Sequence, residues 1–128
     1  MLERTRLCDA LPDLTLTREA PGPGIVCVAL HGELDLSSAY WFDAELRRIE
    51  ETRPQGVIVD LRELRFMDSA GLSRLLAAHQ RARRGGWRFA LVRGPEAIQR
   101  MFRVTATDER FLTISEPEAL QVPAGEYA

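Results

Sequence analysis

Asp68 and Ser69 form an acid–hydroxyl pair directly before an apolar-periodic run that opens at Leu72. A short hydroxyl side chain at such a strand-to-helix junction can satisfy one of the first helical amides, which lack intrahelical partners and carry partial positive charge. The same place tolerates a phosphate, so Ser69 is both a candidate helix cap and a candidate phosphate acceptor. Asp68 can accept from the same loose amides. A Ser-His-acid set of Ser69, His31 and Asp35 can be written down for acyl transfer. However, no Gly-x-Ser-x-Gly surrounds Ser69, and a strand-to-helix context alone does not make a nucleophile. His79 falls on the apolar face of a helix and reads as a packed, hydrogen-bonded core histidine. Cys8 and Cys27 are too few for a disulfide framework, and Cys27, inside an apolar run, reads as a buried free thiol. No His/Cys/Asp group has metal-ligand spacing. The glycines at 22, 24, 85 and 86 make neither a Walker nor a dinucleotide fingerprint. No catalytic residue, metal or cofactor is expected.

The composition narrows the function further. At 128 residues, with 45% hydrophobic and 28% charged side chains, the chain can bury a core as one domain without disulfides or metals. A net charge of −2 gives no global basic field for nucleic acid or a membrane surface. Arg81, Arg83, Arg84 and Arg88 cluster near a helix C-terminus and read as a solvated face favoured by the helix dipole. Only Trp87 supplies aromatic interleaving there, so no nucleic-acid partner is expected. No apolar stretch approaches the ~20 residues that span a bilayer. The segment Met-Leu-Glu-Arg-Thr-Arg at the start lacks the apolar core of a signal peptide. The expectation is a cytoplasmic protein that does not insert into membranes.

The elements that must position Ser69 can be read from periodicity and breakers. Residues 1–12 read as a flexible, irregular segment, 13–122 as the domain and 123–128 as a polar tail. Leu14 to Thr17 alternates as a half-buried strand, and Pro21-Gly22-Pro23-Gly24 is the turn of a hairpin into the buried strand Ile25–Leu30. His31 to Ser37 then reads as a loop, with Ser37 or Ser38 capping a helix from Ala39 to Glu51. On that helix Trp41, Phe42, Leu46 and Ile49 share one face. Val57–Leu61 is a second buried strand, 62–69 a loop, and 70–84 a helix that buries Leu72, Leu75, Leu76 and His79 and ends at Gly85-Gly86. Trp87–Val92 is a third buried strand. A short helix follows Gly94-Pro95 to about Arg103, Phe111–Ile114 is an edge strand, and Glu116–Val122 is a last helical piece. This order predicts an α/β fold with a mixed sheet: an antiparallel N-terminal hairpin strand, then parallel strands joined by helical crossovers. Loops 31–37, 62–69 and 93–95 leave the carboxyl ends of parallel strands and should gather at one edge, bringing Asp35 near Ser69.

Two segments in this order carry a family resemblance. His31-Gly32-Glu33-Leu34-Asp35 after a strand resembles the Gly-Glu-Leu-Asp signature of anti-sigma factor antagonists, in the STAS domain family. Asp60-Leu61 followed by Phe66-Met67-Asp68-Ser69-Ala70-Gly71-Leu72 resembles that family's strand and phosphoacceptor segment. The likeness covers roughly residues 13–120. It implies a non-enzymatic switch whose unmodified form binds an anti-sigma factor with a histidine-kinase-like ATPase fold, so freeing a sigma factor. It also implies that the partner phosphorylates the serine following the motif's Asp, here Ser69, and that a PP2C-type phosphatase reverses this. Asp35, Asp68, Ser69, Ala70, Gly71 and Arg74 are then the partner-binding candidates. Ala70 replaces a second hydroxyl common in relatives, and Arg74 stands where a small or apolar side chain is expected, placed to touch a partner or a phosphate one turn away. Other readings are a STAS-like scaffold subunit of a stress complex or lipid transporter, and a nucleotide or small-molecule binder at the loop edge, with a hydrolase the most remote.

Overall fold

Alternation of Val, Ile and Leu with short polar breaks produces a single twisted sheet with helices laid on one face. In the computed structural model of the chain, the described residues are 13–121 and the backbone of Thr5–Arg6. The strands are β1 (Thr5–Arg6), β2 (Leu14–Gly22), β3 (Ile25–Leu34), β4 (Gly56–Met67), β5 (Arg88–Val92) and β6 (Leu112–Ile114). Between them lie the helices α1 (Leu36–Glu50), α2 (Ser69–Gly85) and α3 (Glu96–Val104). The sheet order is β1-β2-β3-β4-β5-β6. β1/β2 and β2/β3 are antiparallel, and the pairs from β3 to β6 are parallel. This is the expected mixed sheet with helical crossovers. The irregular segment expected over 1–12 lies outside the described residues except for Thr5 and Arg6, which pair with Arg18 and Thr17. The expected tail 123–128 also lies outside them.

The strands are covered on both faces. Val28 and Leu30 of β3, Val57, Val59 and Leu61 of β4, and Phe89 and Leu91 of β5 point to the helical side. There they meet Phe42, Leu46 and Ile49 of α1, Leu72, Leu75, Ala78 and Ala82 of α2, and Ile98 and Phe102 of α3. Phe42, Leu46 and Leu75 are fully buried, and each such side chain contributes about 1.5–3 kcal/mol of transfer free energy. The opposite face carries a smaller cluster of Ile25, Cys27, Ile58, Ala90, Val92 and Leu120. The 3₁₀ turn Pro117–Ala119 stands where a helix was expected over Glu116–Val122; it stops because Leu120 turns extended and packs into this cluster, and Val122 lies outside the described residues.

β3 and β4 run further than periodicity indicates. Residues 31–34 and 62–67 were expected in loops, yet they pair in parallel as far as Leu34↔Met67. The register shifts twice, between Ala29 and His31 and between Gly32 and Glu33, and each shift gives β4 an extra residue. These bulges change the phase of the strand, so that Leu61, Leu64 and Met67, three apart, all enter the same core. A period-two test therefore stops at Leu61. Gly32 permits the second shift: its φ is +111°, and a Cβ there would lie 2.0 Å from the Asp13 carbonyl oxygen.

Candidate functional site

Asp35 and Asp68 each sit at the N-terminus of a helix, and their carboxylates shape the site. Asp35 is the N-cap of α1, in place of the expected Ser37 or Ser38, so the helix begins at Leu36 and not at Ala39. Its Oδ1 accepts from the amides of Ser37 (3.0 Å) and Ser38 (3.3 Å) and from the Ser37 hydroxyl (2.6 Å). Ser38 closes a capping box, its Oγ accepting from the Asp35 amide at 3.0 Å. The Ser37 hydroxyl and these amides hold the Asp35 carboxyl below the usual carboxylate range.

Asp68, not Ser69, is the N-cap of α2. Its Oδ1 accepts from the amides of Ala70 (2.9 Å) and Gly71 (3.1 Å), while Oδ2 accepts from the Leu36 amide of α1 at 3.0 Å. One carboxylate thus closes the starts of both helices, and the Asp68 amide donates to Leu34 O at 3.3 Å. A carboxylate wins this position over a hydroxyl because its two oxygens reach two helices and its charge complements both dipoles. Of the three segments expected to gather, those ending at Asp35 and Asp68 meet through the Leu36 amide, whereas 93–95 follows Val92, which pairs with Asp60, and Gly94 lies against Leu61, well short of Ser69 along β4.

Ser69 is consequently the first residue of α2, exposed, with neither its hydroxyl nor its amide hydrogen-bonded among the described residues. The neighbouring amides already have carboxylate acceptors, so an anion on Ser69 finds its own amide free and two acidic side chains nearby. Gly71 is buried, and a Cβ there would come within 2.5 Å of Leu34 O and 2.9 Å of Leu34 Cγ. It lets the first turn of α2 lie against β3 and so sets the height of Ser69. Ala70 is half-buried beside it.

Arg74 does not stand free on the surface past the acceptor. It is half-buried and leans towards α1, with Nη1 3.8 Å from Asp43 Oδ2 and its guanidinium carbon 6.0 Å from the Tyr40 ring centre. Asp43 itself is buried and bonded to Arg47 Nε and Arg81 Nη1, both at 3.0 Å. Arg81 is the second correction. Expected on a solvated face, it is instead enclosed between the helices, bonding Glu50 through Nε (2.7 Å) and Nη2 (2.9 Å). Arg83, Arg84 and Arg88 are exposed as expected. Neither Tyr40 nor Asp43 was singled out in the sequence; the signal available was Asp43 lying among the apolar positions of α1.

The histidines lie apart from Ser69. His31 is half-buried in β3, opposite Thr15 and Glu63. His79 packs beside Phe89 and Phe111 as a core histidine, but its buried Nδ1 has no hydrogen-bond partner among the described residues. Burial, with Arg83 and Arg110 adding repulsion, lowers its pKa. Cys27 is fully buried, and burial, reinforced by Asp60 and Glu19, pushes the thiol up to about 12. Among the described residues no helix is long and apolar enough to cross a membrane.

Comparison with known proteins agrees with this architecture. An anti-sigma factor antagonist from Mycobacterium paratuberculosis superposes with a TM-score of 0.73 at 24% identity, over 84% of this chain and 92% of that one. The phosphorylated form of the Bacillus cell fate determinant SpoIIAA matches with a TM-score of 0.63 at 22% identity, over 81% and 95%. A sulfate transporter family protein from Wolinella succinogenes matches with a TM-score of 0.59 at 21% identity, over 77% and 84%. At these identities the likeness concerns the fold. The sequence itself matches the STAS domain over residues 19–119, most of its length, and the chain therefore belongs to the STAS domain family.

Proposed function

We propose that this protein is an anti-sigma factor antagonist of the bacterial cytoplasm, a binding protein switched by phosphorylation of Ser69. Its unmodified form binds an anti-sigma factor with a histidine-kinase-like ATPase fold, and a sigma factor is released. That partner transfers the γ-phosphoryl group of its ATP to Ser69 Oγ, giving ADP and a proton, and the complex dissociates. A PP2C-type phosphatase hydrolyses the phosphoserine and restores the binding form. The observation that carries this reading is the exposed Ser69 hydroxyl, free of hydrogen bonds among the described residues, at the head of α2 next to the Asp68 carboxylate that also ties in the start of α1.

The electrostatics support an on/off effect without refolding. A phosphoserine brings a charge of about −1.5 to −2. Here the amides of Leu36, Ser37, Ser38, Ala70 and Gly71 are already engaged by Asp35 and Asp68, which leaves Ser69's own amide, so little of that charge is neutralised internally. A docked partner would have to desolvate it, and a penalty of about 3 kcal/mol weakens binding by roughly a hundredfold. Incubation with the kinase and ATP should add one phosphate, absent in Ser69→Ala. Ser69→Asp should bind the partner more weakly with an almost unchanged thermal melt. Phosphate mapped elsewhere, or normal binding by Ser69→Asp, refutes the reading.

The likeness to a transporter-associated fold supports a second reading, a scaffold subunit of a larger complex in which Ser69 stays unmodified. A persistent high-mass species of the native protein on size exclusion would favour it.

A further inference from the structure

We infer that the face formed by Leu36 and Tyr40 of α1 and Arg74 of α2 receives an acidic, apolar segment of the anti-sigma factor, with a partner carboxylate on Arg74. This rests on the partner-switching reading above and deepens it by naming what is recognised beside Ser69.

Leu36 is 79% and Tyr40 76% exposed. They lie one turn apart on α1 and so share a face. Isolated apolar residues on a surface are ordinary. Here, however, Leu36 is tied by its amide to Asp68, the residue preceding Ser69, and Tyr40 carries the Arg74 guanidinium over its ring. The pair is therefore continuous with the proposed phosphorylation site.

The charge of the occupant follows from counting ions between the helices. Three guanidinium groups, Arg47, Arg74 and Arg81, face two carboxylates, Asp43 and Glu50. Both Asp43 oxygens are already engaged by 3.0 Å bonds from Arg47 and Arg81, and Arg81 also holds both oxygens of Glu50. Arg74 is left at 3.8 Å from Asp43, outside hydrogen-bond range, with 38% of its side chain exposed. Among the described residues it is the surplus cation of the seam, oriented by an aromatic ring and still able to donate through its planar fork. An intramolecular phosphate on Ser69 is the less suitable partner. Positions five apart on a helix differ by roughly 140°, and Arg74 leans to α1. A carboxylate arriving from outside, flanked by apolar side chains that cover Leu36 and Tyr40, fits both the charge and the surface.

The test uses the whole chain and the purified kinase that phosphorylates Ser69, without ATP so that Ser69 stays unmodified. Arg74→Glu and Leu36→Asp are each expected to weaken binding at least tenfold, and Arg74→Gln to reduce its salt dependence. An acid-to-Arg substitution in the kinase is expected to restore binding to Arg74→Glu. Leu36→Asp alters an exposed side chain, and thermal melts of all variants separate lost binding from lost fold. Binding of Arg74→Glu and Leu36→Asp within twofold of wild type overturns the inference; if Ser69→Asp still weakens binding, the switch survives that result. A wild-type chain that binds no such kinase removes both. Self-association abolished by Leu36→Asp would assign the face to a second copy and overturn it. So would a second phosphoserine pKa that rises in Arg74→Gln, followed by phosphorus NMR, because Arg74 would then serve the phosphate.

Discussion

Replacing Asp68 tests the shared cap on which the site is built. In Asp68→Ala three backbone donors lose their acceptor: Ala70 and Gly71 at the head of α2, and Leu36 at the head of α1. Loss of an ordinary N-cap costs about 1 kcal/mol. Loss of the second helix's bond to a carboxylate, together with its dipole interaction, adds about 1–1.5 kcal/mol. The expected total is about 2–2.5 kcal/mol, which lowers the melting temperature of a domain of this size by roughly 10 °C. Asp68→Asn separates the two parts. Asparagine caps nearly as well as aspartate through one oxygen, but its amide nitrogen would face the Leu36 N–H, so only the α1 share of about 1–1.5 kcal/mol should be lost. Urea unfolding at constant slope gives both values, and hydrogen exchange reads the individual amides. In Asp68→Asn the Leu36 amide should exchange faster while Ala70 and Gly71 stay protected. Equal costs for Ala and Asn, or a Leu36 amide insensitive to both, would refute the shared cap.

Removal of Arg81 leaves Asp43 and Glu50 without their main partner between the helices; Arg81→Ala should cost about 3 kcal/mol by urea unfolding. Arg83→Ala, on the exposed side of the same helix, should stay within about 0.5 kcal/mol. Burial keeps the folded pKa of His79 below its ordinary 6.5, so the fold binds the neutral ring in preference. Its contribution should be complete above about pH 6.5 and decline as pH falls through that value towards the lower folded pKa, with His79→Phe flattening the urea midpoint over this window. Because the Cys27 thiol is pushed up to about 12, iodoacetamide at pH 8 should leave it unmodified in the native protein and alkylate it in urea, as peptide mass spectrometry can show.

The parts legible in the sequence are those governed by local periodicity. Phe42, Leu46 and Ile49 at helical spacing, and Val57–Leu61 as a continuous apolar run, announce a helix and a buried strand that the structure contains. The junction before α2 was legible too, because Asp68-Ser69 stands between two strongly patterned segments. What local pattern cannot carry is which of two adjacent polar side chains takes the cap. Asp68 takes it because Leu36, 32 positions away, supplies a third donor. Arg81 was misplaced for the same reason, since its partners Asp43 and Glu50 lie on another helix. Strand length failed where bulges reset the phase after Leu61, although Gly32 hinted at an unusual backbone.

The strictly consecutive strand order bears on how the chain is made. Among the described residues every strand neighbours only its predecessor and successor, so no early strand must wait for a distant strand to pair, although Ile25 and Cys27 gain Leu120 last. During synthesis the hairpin of β2 and β3 can receive α1 and β4 as they emerge, and α2 then closes the Asp68 tie. The edge bearing Ser69 can thus be assembled while β5, α3 and β6 are still being added on the far side. A nascent chain can therefore carry its recognition surface before its last strands are in place.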